Sequence, residues 1–71
     1  MTNPDLGPGE ESEWVLYLQQ LLNHHYQQDV VPETGWFDEA TASAVSLFRD
    51  QNGLEKGDWV DETVWERLAG T

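Results

Sequence analysis

Trp36 and Trp59 each stand one residue before an apolar position and two before an aspartate, in Trp36-Phe37-Asp38-Glu39 and Trp59-Val60-Asp61-Glu62. Neighbouring side chains in extended backbone alternate faces, so an inward Phe37 or Val60 turns the preceding indole outward. An outward indole beside a carboxylate suits a sugar. The ring stacks on C–H surfaces while the acid accepts hydroxyl bonds. Trp36, Asp38, Trp59 and Asp61 are therefore the candidate ligand-binding residues. The competing reading is that both rings lid the core, since tiny domains recruit every aromatic they have.

Other chemistries are poorly served. His24-His25 with Asp29 could touch one cation from a helix face, but no Cys or third His completes a ligand set. Imidazoles near a helix C-terminus suit its dipole, and that is the simpler account. Ser12 reads as a helix cap, and Ser43 and Ser46 fall mid-helix without a Gly-rich elbow or an oriented base. Acid pairs are unavoidable with fourteen Asp+Glu in the chain, and a bundle this small has little room for a catalytic pocket. The expectation is no catalytic residue, no metal site and no cofactor.

Composition excludes further classes. Three Lys+Arg against fourteen Asp+Glu give a net charge of −11. Such a chain has almost no cations with which to displace counterions from a phosphate backbone, and anionic lipid repels it. Neither nucleic acid nor a membrane surface is expected as a partner. The acidic surface itself reads as a solvated face that keeps the protein soluble. The longest apolar run, Trp14 to Leu18, is five residues, and no basic n-region precedes an apolar h-region. The chain thus reads as cytoplasmic, or as a module of a larger secreted protein working at the cell wall. With no Cys, a 71-residue chain must build its core from packed elements alone.

Those elements are legible. Residues 1–11 (MTNPDLGPGEE), rich in Pro, Gly and acids, read as a flexible lead-in to a domain over 12–71. Ser12 caps a helix over 12–28 whose stripe is Trp14, Val15, Leu18, Leu21, Leu22 and Tyr26, with Gln19, Gln20, Asn23, Gln27 and Gln28 mostly opposite. Pro32 and Gly35 mark a loop. Asp38 caps a second helix over 38–52 carrying Thr41, Ala44, Val45 and Phe48. Asn52-Gly53 ends it, and Leu54 folds back onto its last turn. Asp61 caps a third helix over 61–69 presenting Val64, Trp65 and Leu68, with Gly70 as its stop. The expected core comprises Val15, Leu18, Leu22, Phe37, Val45, Phe48, Leu54, Val60, Trp65 and Leu68, with Trp14 alongside. The fold expected is all-α, a small three-helix bundle.

Several of these residues resemble the peptidoglycan-binding domain type 1 family. The matching stretches are Trp14-Val15 to Leu22, Thr34 to Thr41, Ala44-Val45, Phe48-Arg49, Gly53-Leu54, Asp58 to Asp61, Trp65 and Leu68. Together they span residues 13 to 69. The chain departs from the pattern at Arg49, where Gln is usual, at Val64 in place of Thr, and at Asp58 in place of Gly. The resemblance implies a three-helix fold and a non-catalytic cell-wall-targeting module. Its partner would be peptidoglycan glycan or stem peptide, held in a shallow groove near the Gly35–Asp38 and Asp58–Asp61 turns. The alternative is a protein–protein interaction module on the same fold, with a protein partner that the −11 charge would make basic. A monomer is expected in either case.

Overall fold

A computed structural model describes residues 3–69 of the chain. It contains three helices, α1 (Glu13–Tyr26), α2 (Glu39–Gln51) and α3 (Glu62–Ala69), and no strand among the described residues. The fold is a small all-α three-helix bundle. Among the described residues no helix is long and apolar enough to cross a membrane.

Each helix starts where a side-chain oxygen takes up a free backbone N–H. Ser12 Oγ accepts from Val15 N–H at 3.3 Å, Asp38 Oδ1 from Thr41 N–H at 2.9 Å, and Asp61 Oδ1 from Val64 N–H at 3.1 Å. The ends are equally local. Gly53 takes φ +68°, its N–H donates to the Asp50 carbonyl, and Leu54 N–H reaches the Arg49 carbonyl at 2.8 Å. That pair of bonds is a Schellman closure. Helix α1 stops earlier than its periodicity predicts, because Gln27 turns left-handed at φ 55° and Gln28 N–H reaches back to the Asn23 carbonyl. Gly70, the expected stop of α3, lies outside the described residues.

Val15, Leu18 and Leu22 of α1, Val45 and Phe48 of α2 and Val64 of α3 are fully buried, with Phe37, Val60 and Trp65 almost or entirely so. Leu54 and Leu68, expected in the core, are only partly buried and pack against its edge. Val31 and Leu6 join the core from outside the helical stripes.

Leu6 corrects the reading of residues 1–11 as a flexible lead-in. It is 4% exposed, and its backbone pairs with Val60 in both directions, at 2.9 and 2.8 Å. Gly9 N–H donates to the Phe37 carbonyl, Phe37 N–H to the Glu10 carbonyl, and Ser12 N–H to the Gly35 carbonyl. The segment from Pro4 to Ser12 therefore runs antiparallel to the two turns that precede α2 and α3, tying them together. An extended segment has backbone N–H and C=O groups free to pair with those turns, which a helix, bonded within itself, does not. Met1 and Thr2, the start of the expected lead-in, lie outside the described residues.

Candidate functional site

The two helix-start turns are held from behind by buried polar side chains. The sequence pattern places Gln19 and Asn23 on the polar side of α1; the structure buries both. Gln19 uses its whole amide on the first turn. Its Oε1 accepts from Thr34 N–H at 2.8 Å and Gly35 N–H at 2.9 Å. Its Nε2 donates to the Trp36 carbonyl at 2.8 Å and to Thr41 Oγ1 at 3.0 Å. Asn23 does the same one turn later for the preceding loop. Its Oδ1 accepts from Val30 and Val31 N–H, and its Nδ2 donates to the Val31 carbonyl and to Glu33. Both amides lie one helical turn apart on the side of α1 that faces the loop, so a pattern of apolar residues alone could not place them.

Gly35 is required where it stands. Its φ is +84°, and a Cβ there would come within 3.3 Å of the Ser12 carbonyl. The result at the first turn is a Trp36 ring 54% exposed on a backbone fixed by Gln19 and by pairing with the N-terminal segment. The outward turn expected of Trp36 is what the structure has. Asp38, beside it, spends Oδ1 on both the N–H and the hydroxyl of Thr41.

At the second turn Arg49 occupies the role that Gln19 has at the first. It is 3% exposed. Its Nε donates to the Glu55 carbonyl at 2.7 Å, and its Nη1 to the Trp59 carbonyl at 3.1 Å while lying 3.6 Å from Asp61 Oδ1. The guanidinium carbon also sits 4.0 Å from the centre of the Trp59 ring. That ring packs directly on Gly57, where an added Cβ would collide with it at 1.7 Å. Trp59 is thus half-buried between loop and cation, rather than turned out to solvent. Its ring is spent on the fold, as the lid reading anticipates. Burial pushes the Asp61 carboxyl up. The Val64 N–H bond, the Arg49 charge, the Trp59 indole and the Thr63 N–H outweigh that effect and hold it below the ordinary aspartate value.

The four candidate residues therefore separate into two turns with different availability. Trp36 offers a free ring. Asp38 and Asp61 are helix caps, and Trp59 is a packing residue. A shallow groove of about 430 Å³ lies between α2 and the second turn, lined by Glu39, Ala42, Ser43 and Ser46 of the helix and by Gly57 and Asp58. Its polar groups are the Ser43 and Ser46 hydroxyls, which donate and accept, and the Glu39 and Asp58 carboxylates, which accept from sugar hydroxyls. Nothing in it resembles a nucleophile with an oriented base.

Trp14, expected in the core, is 41% exposed, as is Tyr17. Both lean on the buried Trp65. Trp14 meets it edge-on at 6.0 Å, and Tyr17 stacks on it at 5.8 Å and 20°. Trp65 fills the core position that a ring on α1 would otherwise take, so Trp14 is left at the rim. The spacing Trp14–Tyr17, i to i+3, was the available signal for this aromatic face. His24 and His25, adjacent on α1, do not converge. The His25 ring stands edge-on to Phe48 at 5.2 Å and to Tyr26 at 4.8 Å. Among the described residues no three His, Cys, Asp or Glu side chains are grouped to hold a metal ion.

Fold and site together define a small three-helix module whose turns before α2 and α3 are each pinned from behind by a buried polar side chain, Gln19 or Arg49. Residues 11–68 match the family described as "Putative peptidoglycan binding domain", and the chain belongs to that family. No curated protein matches the chain.

Proposed function

We propose that this is a non-catalytic module that docks onto peptidoglycan, through Trp36 and the groove between α2 and the Gly57–Asp58 loop. The observation that carries this reading is the Trp36 ring. It is 54% exposed although its backbone is held by Gln19 and Thr34, with Gly35 and Phe37 on either side bonded to the N-terminal segment. A preorganised indole loses little conformational freedom on binding a glycan face, and such a contact contributes about 1 kcal/mol. Ser43, Ser46, Glu39 and Asp58 would take the sugar hydroxyls or the amide groups of a stem peptide. Membership of a peptidoglycan-binding family supports the ligand class.

Insoluble peptidoglycan should sediment the protein, and Trp36→Ala should reduce the sedimented fraction with the helical circular dichroism unchanged. Because a chain of net charge −11 and a teichoic-acid-bearing wall repel each other, moderate salt should strengthen this binding. No sedimentation at any salt concentration, on walls with and without teichoic acid, would refute the reading. The second reading, a protein-binding module on the same fold, is favoured by that same charge, which would steer a basic partner.

A further inference from the structure

We propose that the Trp14–Tyr17 face of α1 is a docking surface for a basic segment of a protein partner, with a lysine or arginine side chain seated against the two rings beside Glu13. The large hydrophobic residues left exposed among those described are Trp14, Tyr17, Trp36 and Leu47. Trp14 and Tyr17 adjoin each other, with ring centroids 6.0 Å apart and planes at 73°. Trp65 supports both from below, and its own indole N–H donates to the Pro4 carbonyl at 2.8 Å. The platform is thus built on a buried, hydrogen-bonded base. Together with Glu13 and Asn3 the two rings line a shallow groove of about 520 Å³.

Charge selects the occupant. Of the three cations in the chain, Arg49 is buried against Trp59 and Asp61. Lys56 lies in the second turn. Arg67 follows Trp65 by two positions on α3, roughly 200° around the helix from it. The acids are closer: Glu13 lines the groove, and Glu62 shares the face of Trp65 at three residues' distance on α3. An anionic ligand would meet this field as repulsion, and a neutral glycan would gain nothing from it. A cation gains twice. It is drawn to the electron-rich faces of the indole and phenol rings, and Glu13 supplies the opposite charge. The net charge of −11 steers a basic protein toward the whole module.

This surface is separate from the Trp36 turn, so either proposal can fail alone. The test titrates the full chain with a short oligolysine peptide, following the tryptophan indole N–H signals by NMR. The Trp14 signal should move while that of Trp36 stays, and added salt should weaken the response. The same peptide with its side-chain amines acetylated should leave the spectrum unchanged. Tyr17→Leu keeps an apolar side chain at an exposed position while removing a ring face, and should weaken binding about two- to fivefold. Glu13→Gln should act in the same direction, whereas Asp50→Asn, an exposed acid on α2, should have no effect. Equal losses from Asp50→Asn and Tyr17→Leu would overturn the proposal by showing diffuse attraction to an acidic surface. So would undiminished binding of the acetylated peptide, or a Trp14 signal that does not move.

Discussion

Replacing Gln19 with Leu keeps the helix and approximate side-chain volume while removing the side-chain amide bonds that hold the first turn. The Gly35 N–H is then left buried without a partner, at a cost of about 1–3 kcal/mol. The bonds from Thr34 N–H and to the Trp36 carbonyl are partly accessible to water, so their loss costs closer to about 1 kcal/mol each. Thr41 Oγ1 keeps its bond to Asp38, which limits the damage there. The sum is about 3–5 kcal/mol, comparable to the whole stability of a domain of this size. Urea unfolding at neutral pH measures it, with Gln20→Leu at the neighbouring exposed position as the control, expected within about 0.5 kcal/mol of the parent. Gln19→Glu sharpens the test. It keeps acceptors for Thr34 and Gly35 but, when ionised, has nothing to donate to the Trp36 carbonyl. Burial raises the pKa of that carboxyl in the folded state, so the folded form binds the extra proton. Its deficit relative to the parent should therefore shrink as pH falls toward the ordinary glutamate pKa of about 4.3. A Gln19→Leu protein within about 0.5 kcal/mol of the parent would refute the claim that this amide holds the turn.

Leu6→Ala should destabilise by about 2–5 kcal/mol in the same urea assay, whereas a loosely tethered segment would give no change. Phe48→Ala should cost about 3–5 kcal/mol, leaving little folded protein by circular dichroism at room temperature. The Asp61 carboxyl lies below its ordinary value when folded, so the stability it contributes is present above that value and is lost as pH falls through the folded pKa. Asp61→Asn, which retains the capping oxygen, should accordingly flatten the acid limb of the stability profile; an unchanged limb would remove Asp61 from the account.

The helices and their ends are readable in the chain because each depends on residues only a few positions apart. A stripe at i, i+3, i+4 commits one face to burial. Ser12, Asp38 and Asp61 cap within three residues of themselves, and Asn52-Gly53 closes α2 through bonds confined to its last turn. The outward Trp36 follows from strand-like alternation about Phe37 and is local in the same sense. The pattern also matches the family closely enough to name it. Everything that required a second segment was decided in three dimensions. Gln19 and Asn23 read as residues of the polar side of α1, yet they are buried, as is Arg49, because neighbouring loops bring them backbone carbonyls and N–H groups. Leu6 sits among prolines, glycines and acids, and enters the core only because Val60 offers it a backbone partner. Trp14 and Trp65 both lie on apolar stripes, and packing geometry leaves room in the core for only one of the two rings. Periodicity states which residues prefer to leave water, but the location of the opposing segment determines which of them can.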